Sequence, residues 1–119
     1  MKNQKKAKAS PKPVKFCNKQ TKKSFSEDLS EESREAFSSD LMDVIAYGLE
    51  PTIKSDTLPG GTIELRKNGR PAYRCVYKVL PDCILIVHAF KKTCNGPDKK
   101  NLHTLELRLS NLDPTQFCS

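Results

Sequence analysis

The stretch GGTIELRKNGRPAYRCVYKVLPDCILIVHAF, residues 60–90, decides the fold class of this chain. Apolar and polar side chains alternate over residues 62–67 and again over 73–80, which predicts two strands joined by a tight turn. A second turn leads into CILIVHAF, residues 83–90, which is apolar at almost every position. Such a run is typical of a strand that is covered on both faces. The stretch therefore predicts a three-stranded antiparallel meander whose last strand lies at the centre of the sheet.

Helices are predicted before and after this meander. Ser30 precedes Glu31 and Glu32, so its side chain is suited to cap a helix whose first turn carries acids. Gly48 is predicted to end that helix. Its apolar face repeats at three- and four-residue spacing and comprises Ala36, Phe37, Leu41, Val44 and Ile45. A last helix is predicted over 98–112 from leucines at the same spacing, namely Leu102, Leu105, Leu109 and Leu112.

The order of these elements defines an α+β fold. A short strand is predicted at 13–17 and a loop at 50–58. We expect N-terminal helices and a C-terminal helix to pack on one face of a small antiparallel, mostly meander β-sheet. The other face of the sheet is expected to be open to solvent.

Charge is distributed unevenly along the chain, whose formal net charge is +7. The first 24 residues hold nine lysines and no acid, and we expect residues 1–12 to form a disordered arm rich in Lys and Pro. The folded domain is predicted at 13–112 and is followed by a polar tail at 113–119. The charged residues of 27–56 are mostly acidic, and those of 57–112 are mostly basic. A polyanion should therefore bind the second half of the domain.

The remaining composition excludes several classes of protein. The chain has no run of about 20 apolar residues that would span a membrane. Its basic start also lacks the apolar run of a secretory signal, which predicts a soluble, cytoplasmic protein. The five cysteines form no CxxC pair, so we expect reduced thiols and no metal site, with Cys75 and Cys83 in the core. No nucleophile triad, Gly-rich phosphate loop or zinc motif is recognised, so any catalysis should depend on charged side chains without a cofactor.

The candidate site consists of charged residues on the predicted strands. Strand alternation groups them along three neighbouring strands as Glu64 with Arg66, Arg74 with Lys78, and Lys91 followed by Lys92. On one concave sheet face, these residues would offer several cations and one carboxylate to a phosphodiester and its transition state. Taken singly, each of them is more often an ordinary surface charge.

His88 and the tyrosines of the meander each have two interpretations. Imidazole titrates near neutral pH, so His88 is a candidate catalytic base. Its position inside CILIVHAF fits equally a partly buried histidine whose hydrogen bonds are satisfied. His103, on the last helix, is a weaker candidate. Tyr73 and Tyr77 have rings that can stack on a nucleobase, but we expect them to pack in the core.

Several strings of the sequence resemble a known family. They are YGLEP, LPGGTIELRKNG, AYRCVY and LIVHAFKKT, followed by a helix that ends in LELRL. In this order and spacing, over about residues 14–112, they are similar to the phage-related branch of the RelE/HigB/ParE toxin superfamily. The positions that match the pattern are Gly48, Glu64, Leu65, Arg66, Tyr73, Arg74, Tyr77, His88, Phe90, Lys91 and Lys92.

The resemblance implies a RelE-like fold and the toxin component of a type II toxin–antitoxin system. Such a toxin is a ribosome-dependent endoribonuclease, which cuts messenger RNA by metal-free attack of the 2′-hydroxyl. Its partners would be the message on the ribosome and a cognate antitoxin protein.

The resemblance also implies roles for the charged residues. Arg66 and Arg74 would hold the scissile phosphate. Lys91 and Lys92 would support the developing charge or protonate the leaving group. Glu64 would act as a base or pair with the arginines to hold them in place. Further contacts with RNA are expected from Lys67, Arg70 and Lys78.

Two alternative functions remain open. Proteins of similar fold inhibit DNA gyrase, and in that case growth arrest would occur with intact messages. The other alternative is a catalytically inactive, phage-related protein that binds nucleic acid through its basic face and Lys-rich arm. Its binding would weaken steeply with salt, and no RNA would be cut.

Overall fold

A computed structural model describes residues 10–119 of the chain. The first nine residues of the predicted arm lie outside the described part. Lys12, at the end of that arm, is hydrogen-bonded to the folded domain. Its backbone N–H donates to the carbonyl of Ala46 at 2.9 Å, and its Nζ donates to the carbonyl of Leu80 at 2.7 Å.

Five strands form one mixed sheet: β1 (Val14–Phe16), β2 (Ser55–Leu58), β3 (Thr62–Lys67), β4 (Ala72–Val79) and β5 (Ile84–Lys92). Their order across the sheet is β1-β5-β4-β3-β2. The meander β3-β4-β5 is antiparallel as predicted, and β5 has a neighbour on each side. The sheet is not antiparallel throughout, because β1 runs parallel to β5.

The prediction of a loop over 50–58 is wrong for its last four residues. Ser55–Leu58 forms the edge strand β2, which pairs antiparallel with β3. Its first three side chains are exposed and Leu58 is half-buried, so no apolar alternation marks it in the sequence. Backbone pairing with β3, rather than burial of side chains, makes this segment a strand.

Three helices complete the domain: α1 (Lys19–Glu27), α2 (Glu31–Asp43) and α3 (Lys99–Ser110). Ser30 caps α2 as predicted, since its side chain accepts a hydrogen bond from the backbone of Ser33. A short 3₁₀ turn follows α2 and ends at Gly48, which has a φ of 86° that favours glycine. A second 3₁₀ turn near the C-terminus spans Pro114–Gln116.

The helices cover both faces of the sheet. α1 and α2 bury one face in a core that includes Phe25, Phe37, Leu41, Leu65, Cys75, Tyr77, Ile84 and Ile86. α3 covers the other face in a second core that includes Val76, Cys83, Leu85, Val87 and Leu105. The expectation of one open face is therefore wrong. Because β5 is apolar on both faces, covering only one would leave Leu85 and Val87 in water, at about 1.5–3 kcal/mol each.

The burial of Cys75, Cys83 and Tyr77 confirms their prediction as core residues, and Tyr73 packs at the edge of the first core. Burial raises the pKa of the Cys75 thiol and raises the pKa of Tyr77 to about 12. All five cysteines are free thiols. None of the helices within residues 10–119 has the length and apolar character needed to cross a membrane.

A β-bulge in β5 determines which way His88 faces. Val76 of β4 pairs with His88, whereas Tyr77 pairs with Ile86, so Val87 is an extra residue in β5. As a result, Val87 and His88 both lie on the face covered by α3. The Val87 carbonyl accepts hydrogen bonds from side chains, including Arg108 Nη1 at 3.1 Å.

Candidate functional site

A cavity of about 350 Å³ lies between the sheet and the start of α3. Three strands supply most of its sheet side, which comprises Glu64, Arg66, Arg74, Val76, His88, Phe90 and Lys92, together with Leu58 of β2. The segment that begins α3 supplies the opposite wall, which comprises Gly96, Pro97, Asp98, Asn101, Leu102 and Leu105. The cavity therefore combines charged residues of β3 to β5 with apolar residues of both walls.

Two arginines face each other across β3 and β4. Arg66 is the direct partner of Arg74 in the strand register. Glu64 Oε1 accepts a hydrogen bond from Arg66 Nε at 2.9 Å and lies 3.7 Å from Arg74 Nε. Like charges placed directly opposite in a sheet are destabilising, and the shared carboxylate offsets that repulsion. Glu64 thus holds two guanidinium groups side by side in the cavity.

Arg74 is the more deeply placed of the two arginines, with 7% of its surface exposed. Burial lowers the pKa of Arg74, Glu64 opposes this shift, and Arg66 lowers it further. The side chain is held by a hydrogen bond from Nη1 to the carbonyl of Tyr73 at 2.9 Å. Arg66 lies nearer the surface, where its Nη2 also contacts Asp56 at 3.2 Å. An arginine remains protonated at neutral pH, so Arg74 is a partly desolvated cation.

Lys92 connects this cavity to a second one of about 570 Å³. Arg74 and Lys92 line both cavities, and Arg70 lines the second. The Lys92 ammonium group donates to the carbonyls of Cys94 at 3.1 Å and Gly96 at 3.0 Å. Arg74 and Lys92 therefore lie where the two cavities adjoin, and Arg70 adds a third cation in the second cavity.

His88 is part of a polar network that connects β5 to α3. Arg108 Nη1 donates to His88 Nδ1 at 2.9 Å, because an arginine has no acceptor to offer. The proton of the neutral imidazole therefore lies on Nε2, which donates to Asn101 Oδ1 at 2.7 Å. Asn101 Nδ2 in turn donates to Asp98 Oδ2 at 2.8 Å, and Asp98 caps α3.

Burial lowers the pKa of His88 to about 4; the hydrogen bond with Asn101 opposes this shift, and Arg108 adds to it. Both ring nitrogens are engaged, and the imidazole is neutral at neutral pH. This geometry fits a satisfied, buried histidine better than a free catalytic base. His103 is exposed on α3.

The structure does not bring all the predicted site residues together. Lys91 lies between Phe90 and Lys92 on β5 and points to the other face of the sheet, opposite Tyr73. Lys67 pairs with Glu32 of α2 at 3.7 Å, also on that other face. Lys78 lies farther along β4, where its Nζ donates to the carbonyl of Gly60 at 2.7 Å. The first cavity gathers Glu64, Arg66, Arg74, His88 and Lys92, and Arg70 lies in the adjoining one.

Sequence reasoning missed the contribution of α3 to the site. Asn101 and Arg108 hold His88, while Asp98 accepts a hydrogen bond from Asn101 and caps the helix beside the cavity. Leucine spacing predicts this helix but does not indicate which sheet face it covers. Phe90 also lines the cavity, and its alternation with Lys92 along β5 is the signal that could have identified it.

No group of three or more His, Cys, Asp or Glu side chains suited to a metal ion occurs among residues 10–119. No family model matches the chain, and none of the curated proteins compared with it gives a match.

Proposed function

We propose that this chain is a ribosome-dependent endoribonuclease, the toxin component of a type II toxin–antitoxin system, that binds messenger RNA at the cations around Arg74. One observation carries the proposal: Arg66, Arg74 and Lys92, from three adjacent strands, converge on one cavity together with Glu64. The similarity of the strand motifs to the RelE/HigB/ParE toxins supports the same function.

The arrangement of the arginines favours an anionic ligand. Two guanidinium groups directly opposite each other repel, and a single carboxylate offsets only part of that repulsion. A phosphate placed against Arg66 and Arg74 would accept charge-assisted hydrogen bonds from both. Since Arg74 is partly desolvated, its interaction with a phosphate would be stronger than that of an exposed arginine.

In the proposed reaction, the ribose 2′-oxygen attacks the adjacent phosphorus and the bond from phosphorus to the 5′-oxygen breaks, which leaves a 2′,3′-cyclic phosphate. The guanidinium groups of Arg66 and Arg74 stabilise the negative charge that develops on the phosphate oxygens. Glu64, with one oxygen engaged by the arginines, accepts the proton of the 2′-hydroxyl through the other. The Lys92 ammonium group protonates the departing 5′-oxygen.

Induced expression in growing cells, followed by mapping of messenger 5′ ends, tests this function. The wild type should arrest growth and produce new ends confined to translated regions. Arg74→Gln should abolish both effects, whereas Arg34→Gln should retain them, since Arg34 lies on α2 and lines neither cavity. Circular dichroism of both variants checks that they fold. Growth arrest with uncut messages would contradict the proposal and favour a gyrase-type inhibitor.

A second candidate function is binding of RNA without cleavage. It is favoured by the hydrogen bonds that occupy the Lys92 ammonium group and both nitrogens of His88. In that case the purified protein would bind RNA in a filter-binding assay, and the binding would weaken as the salt concentration rises. RNA on translating ribosomes would remain intact.

A further inference from the structure

The cavity has an apolar half that the proposed chemistry does not use. Val76 and Phe90 form it on the sheet side, and Leu102 and Leu105 form it on the α3 side. Leu102 is 44% exposed although it lies at the cavity wall. The volume of about 350 Å³ lies at the lower end of the range typical of small-molecule pockets. One cavity therefore combines an apolar slot with the cations Arg66, Arg74 and Lys92.

Phe90 provides a fixed aromatic surface in that slot. Its ring stacks with the ring of His88, with 4.8 Å between centroids and 29° between planes. The His88 ring is itself held by hydrogen bonds to Asn101 and Arg108. The orientation of Phe90 is thus set before any ligand arrives, which lowers the entropic cost of stacking another ring beside it.

We propose that this slot is a nucleobase subsite, in which a base lies beside Phe90 and beneath Leu102 while its phosphate contacts Arg74 and Lys92. A nucleobase has flat apolar faces and carries its phosphate a short distance away, so it matches a slot with cations at one edge. Stacking on an aromatic side chain accepts any base, which suits single-stranded RNA. The inference rests on the proposed function for the identification of RNA as the ligand.

Titration of the purified full-length protein with 5′-AMP, 5′-GMP, 5′-CMP and 5′-UMP, followed by NMR, tests the subsite directly. Inorganic phosphate is the reference ligand, since it occupies the cations alone. At least one nucleotide should bind about tenfold more tightly than phosphate, a factor that corresponds to about 1.4 kcal/mol and lies within the range for one stacked base.

Leu102→Trp should fill the mouth of the slot and abolish the preference for nucleotide while leaving phosphate affinity unchanged. Leu107→Trp is the matched control, because Leu107 is 51% exposed on the same helix and does not line this cavity. Both positions are exposed, so both variants should fold. Phe90→Leu provides a second test and should also lower nucleotide affinity.

Two results would overturn the subsite: nucleotides that bind no more tightly than inorganic phosphate, or equal behaviour of the two tryptophan variants. The outcome is separable from that of the proposed function. If messages are cut but nucleotides bind no more tightly than inorganic phosphate, the endoribonuclease function is supported and the subsite is rejected. Intact messages, with nucleotide binding that is lost in Leu102→Trp, would reject cleavage and retain the subsite.

Discussion

The two faces of the sheet are covered in different ways. Under α1 and α2, large side chains such as Phe37, Leu41 and Tyr77 are almost completely buried. Under α3, only Leu105 of the helix residues is buried, and a polar network through His88 holds the helix in place. The helices of the first face therefore bury more large apolar side chains than α3 does, and the second face combines modest helix packing with a cavity. Concentrating apolar packing on one face leaves charged residues free to gather on the other.

Truncation in the first core should have the largest effect on stability. Phe37→Ala removes a fully buried ring and should lower the free energy of unfolding by about 3–5 kcal/mol. Leu102→Ala, on the other face, should change it by about 0.5 kcal/mol or less, because Leu102 is partly exposed. Urea denaturation measures both. Equal losses would show that the two faces do not differ as described.

The polar network should make the second face sensitive to acid. The pKa of His88 is lowered to about 4 in the folded protein, against about 6.5 in an unfolded chain. Between these values the unfolded chain binds more protons, so stability is complete above pH 6.5 and falls as the pH drops toward 4. The loss of stability that protonation of His88 can cause is at most about 3.5 kcal/mol.

Midpoints of urea denaturation at pH 7 and pH 5, compared between variants and the wild type, measure the effect of His88 protonation on stability. His88→Gln should lose part of the decrease seen in the wild type between the two pH values. His103→Gln should retain that decrease, because His103 is exposed on α3. The same pH dependence in His88→Gln and in the wild type would contradict the assignment of a neutral, hydrogen-bonded imidazole to His88.

Glu64 links the cation pair to the stability of the second face. Glu64→Gln should lower the free energy of unfolding by about 1–3 kcal/mol, since it removes a charged hydrogen-bond partner from two opposed arginines. The same variant should bind RNA more tightly at low salt but cut it more slowly. Glu106→Gln, on the exposed surface of α3, is the control for the loss of one negative charge. Unchanged stability and cleavage in Glu64→Gln would contradict its assigned role.

Sequence reasoning was most successful where a local pattern is sufficient. Alternation predicts the meander and the grouping of Glu64 with Arg66, and the capping signals at Ser30 and Gly48 set the limits of the segment formed by α2 and its 3₁₀ turn. These features depend on neighbouring residues along the chain. The residues that carry them are therefore visible without knowledge of the fold.

The features that sequence reasoning missed depend on tertiary contacts. The extra residue at Val87 shifts the alternation of β5 by one position and turns His88 toward α3, and no local signal marks it. The face that α3 covers follows from both faces of β5 being apolar, which the pattern of α3 alone does not reveal. Lys91 could have been separated from Lys92 by alternation, since adjacent residues of a strand point to opposite faces.

Cleavage of a defined message on purified translating ribosomes by Lys92→Ala and Lys91→Ala tests the central claim most directly. The two residues are chemically identical neighbours on opposite faces of β5, and only Lys92 lines the cavity. We predict that Lys92→Ala lowers the cleavage rate by about a hundredfold, the lower range for loss of an acid catalyst, while Lys91→Ala cuts at the wild-type rate. Equal rates for the two variants would contradict the assignment of this cavity as the site of RNA cleavage.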